Sequence, residues 1–202
     1  MMRELQYPFS AAKVAELKAG ERVVVSGLVF TGRDRLHRHL ADGGACPVDL
    51  TDGALYHCGP VVAREGGAWV VRAAGPTTSL RQESYMSGIL ERCRLRVIIG
   101  KGGMGEGTRE ACAKHGCVYL QAVGGAASVI AASVEKVGQV HLLKEFGSTE
   151  AMWELHVKGL EAVVTIDASG RSLHDRVRSA SRRALRNVLN PQPKRKRPGA
   201  RK

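Results

Sequence analysis

An α/β domain built on a mixed sheet is what this sequence predicts, and three observations carry that prediction. The first half holds Val-rich and β-prone runs separated by Gly and Pro. The second half alternates apolar runs of strand length with stretches of helical spacing. No apolar run approaches the ~20 residues that a membrane helix requires. With 202 residues, 44% of them hydrophobic, the chain can form one core of ordinary size and an appendage.

The elements follow in order. Ser10 can cap a short helix whose apolar positions are 11, 12, 15 and 17. The run Arg22 to Phe30 reads as a strand, and Arg33 to Leu40 as a helix with Leu36 and Leu40 four apart; 41–53 read as loop. Ala54 to Tyr56 and Ala68 to Ala73 are β-prone pieces in a meander or hairpin around Gly66-Gly67. Glu83 to Glu91 (helix), Leu95 to Ile99 (strand), Thr108 to His115 (helix) and Val118 to Ala122 (strand) then imply a strand-helix-strand crossover with parallel strands. A helix over Ala126 to Val137, a strand over Gln139 to Leu143, a helical turn over Glu150 to Leu155 and a strand over Ala162 to Asp167 complete the domain. Residues 172–190 resume helical spacing, with Leu173, Val177, Ala180, Ala184 and Val188 on one face and arginines opposite.

Charge and cysteines narrow the functional classes. The net charge of +12 suggests nucleic acid until it is located: eleven basic residues follow Asp175 with no acid among them, so residues 1–175 are close to neutral. The five cysteines form no CxxC pair and no tight group with histidine, so neither a zinc module nor a cluster cradle is written here, and no metal ligands are expected. Glu4, Lys13, Glu16 and Lys18 interrupt the opening residues, which therefore do not read as a secretory leader. A cytoplasmic protein with reduced thiols is expected.

The segment Leu95 to Gly105 matches a strand followed by GxGxxG, a dinucleotide-binding signal. That signal also needs an acid at the end of the next strand, where this chain has Gly124-Gly125. No Gly-Lys-Ser or Gly-Lys-Thr ends the run, so a phosphate loop of the Walker kind fails too. What remains is a glycine loop whose amides, with Lys101, can face an anion at a helix start.

Two further loops offer the same chemistry where predicted strands end: Thr31 to His37 with Arg33, and Gly75 to Arg81 with Thr77, Thr78, Ser79 and Arg81. Two arginines and a lysine beside hydroxyls fit a small dicarboxylate, because a guanidinium grips a carboxylate through two parallel hydrogen bonds.

These residues resemble the C-terminal domain, or separate β subunit, of the class I iron-sulphur fumarases and the related L-tartrate dehydratases. The resemblance runs from about residue 5 to 175. Its markers are Gly32-Arg33-Asp34 with His37, Gly59-Pro60, Gly75-Pro-Thr-Thr-Ser, Ile99-Gly-Lys-Gly-Gly-Met, Gly124-Gly-Ala-Ala, Glu150-Ala-Met-Trp and Thr165-Ile-Asp167.

The resemblance implies a swivelling β/β/α domain over 1–175 that closes on a partner α subunit, in a heterotetramer or larger assembly. The [4Fe-4S] cluster would lie in that partner and none in this chain. It places substrate contacts on Arg33, Arg81, Lys101, Thr78 and Gly102, catalysis on Thr77, and support on Asp34, His37, Gly124 and Gly125. Asp34 and His37 also read as helix-start residues, one capping and one satisfying a backbone group.

The implied reaction is reversible hydration of fumarate to L-malate, active only with the α subunit. Many fumarases continue the Thr-Thr motif as Gly-Arg-Met-Asp, whereas this chain has Leu80-Arg81-Gln82-Glu83-Ser84, closer to tartrate dehydratase. Tartrate dehydration to oxaloacetate is therefore the alternative. Beyond the resemblance lie a basic amphipathic helix at 176–190 and a tail at 191–202 expected to be disordered. Its Lys-Arg run leaves nucleic-acid binding as a remote alternative.

Overall fold

The computed structural model describes residues 2–190. In chain order its elements are β1 (Arg3–Gln6), α1 (Ala11–Ala15), β2 (Arg22–Gly32), α2 (Asp34–Ala41), β3 (Ala54–His57), β4 (Val61–Glu65), β5 (Ala68–Ala73), a 3-10 turn (Ser79–Gln82), α3 (Glu83–Cys93), β6 (Val97–Gly100), α4 (Glu106–His115), β7 (Val118–Ala122), α5 (Ala127–Ala132), β8 (Val134–His141), α6 (Leu143–Phe146), β9 (Met152–Ile166) and α7 (Leu173–Leu189). Seven strands form one mixed sheet in the order β1-β2-β3-β6-β7-β9-β8, and β4 and β5 form a separate hairpin turning at Gly66-Gly67.

Strands β2, β3, β6 and β7 run parallel, joined in register as neighbours. The 15-residue β9 runs antiparallel to β2 along one side and to β7 along the other. These pairings close β2, β3, β6, β7 and β9 into a five-stranded ring. Strand side chains alternate between its faces. Val97, Ile99, Val118 and Leu120 point into one fully buried cluster with Val23, Val25, Tyr56, Trp153 and Leu155. Ile98, Leu55 and Tyr119 join the other, which α2, α3 and α4 cover with Leu36, Leu40, Met86, Ile89, Leu90 and Cys112. Each fully buried aliphatic side chain of this kind stabilises the fold by about 1.5–3 kcal/mol.

The mixed α/β sheet and the parallel β6-α4-β7 crossover agree with the sequence reading. Three elements do not. The helix expected over Ala126 to Val137 ends at Ala132, where the chain turns into β8. That strand stops at His141, and Leu142 adopts a left-handed conformation (φ 59°) that starts α6 instead of extending the strand to Leu143. The helical turn expected over Glu150 to Leu155 is the start of β9: Trp153, Leu155 and Val157 are buried while Glu154 and His156 are less so, a period of two. Strand β1, with Leu5 as its single buried residue, was not anticipated.

The last helix, α7, forms where the spacing places it, starting at Leu173 with the Ser172 hydroxyl accepting from the Asp175 amide at 3.2 Å. None of its residues is buried; Val177, Leu185, Val188 and Leu189 are all more than half exposed. The tail expectation for 191–202, and the nucleic-acid reading attached to it, lie outside the described residues. Among those described, no helix is long and apolar enough to cross a membrane.

Candidate active site

Four parallel neighbours end at one rim of this ring, the carboxyl ends of the strands, where parallel α/β sheets gather ligand-binding loops; this rim is the open edge of the sheet. Gly32 at the end of β2 is level with His57 at the end of β3, and Gly100 at the end of β6 is level with Gln121 of β7. Arg33, Lys101 and Gly124 therefore follow the same ends of β2, β6 and β7, with β3 between the first two.

Arg33 stands immediately before α2 in an extended conformation, and its side chain is 26% exposed. Its Nε lies 3.5 Å from Glu150 Oε1 but has no hydrogen-bond partner among the described residues, although it is buried. Gly59 makes room for it, since a Cβ there would sit 2.6 Å from Arg33 Cδ and 2.4 Å from the Thr149 carbonyl oxygen. Asp34, the next residue, does not cap the helix. Its carboxylate reaches outward and accepts from Arg81 Nη2 and Gln82 Nε2, each at 2.6 Å. Arg81 is thus held beside the start of α2 although 47 residues separate it from Asp34.

The Thr77 loop and the Lys101 loop are stitched together by backbone. Thr77 N–H donates to the His57 carbonyl at 2.7 Å, Lys101 N–H to the Thr77 carbonyl at 3.3 Å, and Ser79 N–H to the Lys101 carbonyl at 3.0 Å. Thr78 and Lys101 form an isolated parallel bridge. A Cβ on Gly124 would touch Lys101 Cδ at 3.5 Å, so the Gly124-Gly125 turn lies alongside the lysine stem. Gly102 is exposed, in a positive-φ conformation (86°) with open space beside it. Thr77 and Lys101 are partly exposed, Thr78 and Arg81 more so, and the edge is open to solvent.

One expected participant turns inward. Ser79, grouped by sequence with the anion-facing hydroxyls, is fully buried and its Oγ lies 2.9 Å from His57 Nδ1. His57 Nε2 in turn lies 3.2 Å from His37 Nε2, and His37 Nδ1 lies 2.7 Å from the Arg33 carbonyl oxygen. Both rings are fully buried. Burial pulls His37 down to about 4, against the opposing pull of the Arg33 carbonyl and Asp34. It holds His57 well below the ordinary range, with His37 adding to the effect. His57 carried no sequence signal of its own; its one clue was its place two residues before Gly59-Pro60.

The glycine loop is also arranged differently from a nucleotide site. Glu83 Oε2 accepts from the Gly105 amide at 2.6 Å and the Thr108 hydroxyl at 2.7 Å, while Oε1 accepts from the Thr108 amide at 3.0 Å. The start of α4, where a phosphate would sit in a dinucleotide fold, is filled by the chain's own carboxylate. Sequence reasoning missed this role and read Glu83 as a substrate-related departure.

Among the described residues, no three His, Cys, Asp or Glu side chains come together as a metal-holding group, so these residues do not fit an iron-sulphur cluster. The edge instead offers fixed cations and hydroxyls suited to a small anion. The family model described as the fumarase C-terminus matches residues 3–177. The chain belongs to the fumarase C-terminal domain family. Within it, a Geobacillus stearothermophilus protein provisionally named as a class I fumarate hydratase is 47% identical over 188 residues, which cover 93% of this chain and 36% of that protein. The L(+)-tartrate dehydratase β subunit of Escherichia coli is 34% identical over 86% of this chain and 87% of its own length. A Methanocaldococcus jannaschii protein provisionally given the same subunit name is 35% identical over 81% of this chain and 87% of its own. This fumarase C-terminal domain thus spans about a third of one relative and most of the others.

Proposed function

We propose that this chain is the β subunit of a two-subunit [4Fe-4S] hydro-lyase that hydrates fumarate reversibly to L-malate, its substrate edge completed by a cluster-bearing α subunit. The observation that carries the reading is the tying of Arg33, Arg81, Thr77 and Lys101 into one open sheet edge through Asp34 and the backbone bonds of the Thr77 and Lys101 loops.

In this reading Arg33, Arg81 and Lys101 grip the two carboxylates, with the Thr78 hydroxyl and the Gly102 amide as further donors. Removal of a proton beside a carboxylate needs charge stabilisation, which fixed guanidinium and ammonium groups supply. Thr77 is the proton-transfer residue. A threonine hydroxyl is a poor base alone, so an acidic group of the partner must activate it. The partner's cluster supplies Lewis acidity, and a swivelling movement of this domain brings its edge against the partner.

L-tartrate dehydration is the second reading, favoured by the near full-length match to tartrate dehydratase β subunits. Glu83 does not favour it, because the carboxylate is engaged by α4 rather than turned to the open edge. The test is anaerobic mixing of this chain with its cluster-bearing partner, followed by assays with fumarate and tartrate. Fumarate hydration appearing only in the mixture supports the reading; turnover of tartrate alone selects the second; no turnover of either diacid rejects both.

A further inference from the structure

We propose that His37, His57 and Ser79 form a buried, one-directional hydrogen-bond spine that positions Arg33, Thr77 and Lys101, making His57 and Ser79 positioning residues of the site. The spine's purpose rests on the dicarboxylate reading; its geometry does not.

Its direction follows from elementary donor and acceptor counting. The Arg33 carbonyl can only accept, so His37 Nδ1 carries the hydrogen at 2.7 Å. A neutral ring then leaves His37 Nε2 as an acceptor, so His57 Nε2 must carry the hydrogen across the 3.2 Å between them. That leaves His57 Nδ1 as an acceptor, and the Ser79 hydroxyl donates to it at 2.9 Å. Any other tautomer of either ring sets two donors or two acceptors face to face. With this one, all four ring nitrogens are satisfied in a place without solvent.

Each end and branch of the spine stops on the backbone of a residue whose side chain forms the open edge. His37 holds the Arg33 carbonyl, the His57 carbonyl takes the Thr77 amide, and the Ser79 amide holds the Lys101 carbonyl. The space for the serine hydroxyl exists because position 100 has no Cβ: one built there would lie 1.8 Å from Ser79 Oγ and 3.2 Å from His57 Nδ1. An apolar trio would pack this core without needing any polar partner. A hydrogen-bonded chain fixes instead the relative placement of three loops, which matters where a misplacement of about 1 Å costs on the order of 100-fold in rate.

The first arm of the test needs no partner: the full-length chain, labelled with nitrogen-15 in histidine, is examined by NMR at neutral pH. His37 is expected neutral with hydrogen on Nδ1 and His57 neutral with hydrogen on Nε2. The second arm uses the assembled enzyme with Ser79→Ala, His57→Gln and the double variant, and follows fumarate hydration. Each single variant is expected to lower kcat/KM roughly 10- to 100-fold, and the double variant to be no worse than the poorer single one, because one chain is broken in each. If Ser79→Ala does not yield soluble protein, His57→Gln, which keeps the donor toward His37, decides alone. Opposite tautomers, a charged ring at neutral pH, or wild-type kcat/KM in the variants would overturn the spine. The expected tautomers in a chain whose assembled wild type turns over no diacid would instead sink the dicarboxylate reading and leave the spine standing.

Discussion

Arg81 and Asp34 meet at 2.6 Å, and the same carboxylate holds the Gln82 side-chain amide at 2.6 Å through its other oxygen. This fork ties the turn after the Thr-Thr motif to the start of α2, one residue from Arg33. Both partners are nearly half exposed, 46% and 43%. Such a pair adds little to stability, about 0–1 kcal/mol, and its value is in where it points Arg81.

Asp34→Asn, which keeps an oxygen to accept from the buried Gln82 amide but loses the charge that holds Arg81, should therefore separate activity from stability. We expect kcat/KM of the assembled enzyme to fall at least tenfold, of the order found when a positioning contact is lost. Urea unfolding of the chain should shift by no more than about 1 kcal/mol. Side-by-side kinetics and denaturation check both parts.

Glu83 acts on stability instead. Its carboxylate satisfies two amides and a hydroxyl at the start of α4. Glu83→Ala leaves those donors unpaired and removes a negative charge from a helix N-terminus, so a loss of about 1–2 kcal/mol is expected from urea titration. With the carboxylate in place, nicotinamide nucleotides should not raise the melting temperature.

Two glycines of the same loop should respond in opposite measure. Gly100→Ala drives a Cβ into the Ser79 hydroxyl and is expected to destabilise by about 3 kcal/mol or more, or to prevent folding. Gly102→Ala meets open space, and its cost is the positive φ of 86°, about 1–2 kcal/mol. Thermal unfolding of the two variants gives the comparison.

Acid should weaken the fold before it reaches the carboxylates. His37 falls from 6.5 to about 4 on folding, so between those values the unfolded chain binds a proton that the folded chain refuses. Its contribution is complete above pH 6.5 and is lost as pH falls toward 4. With about 1.4 kcal/mol per pKa unit, the loss is roughly 3 kcal/mol. His57 acts in the same direction. Arg33, Asp34 and His57 lie against His37; the Arg33 carbonyl and Asp34 favour its charged form, and burial outweighs both. Urea midpoints between pH 7 and 4 should fall, and His37→Gln should flatten that slope.

The parts of this molecule legible in its sequence were those where one physical signal dominates. Val-rich β2, the apolar run of β6 and the hairpin glycines carry strong local preferences, and the three cations stood out because small turn residues flank each one. Local spacing misled where tertiary pairing decides. Val134 and Val137 continue the helical period of α5, yet they pair with β9. The alternation of Trp153, Leu155 and Val157 was readable, but Glu150-Ala-Met beside it has helical preference. The spine was not legible at all: Ser79 looks like its neighbours Thr77 and Thr78, which are partly exposed and exposed, and its inward turn depends on a histidine 22 residues away. Glu83 was equally opaque, because its partners lie 22 and 25 residues further on.

Cations from separate strand ends are proposed to hold one dicarboxylate, and Arg81→Ala removes one of them without touching the core. In the anaerobically assembled complex, we predict fumarate hydration to fall by about 100-fold or more while the two subunits still co-elute in size-exclusion chromatography. Lys101→Ala in the same assay should chiefly raise KM. Hydration rates within twofold of wild type in an intact Arg81→Ala complex would contradict the account.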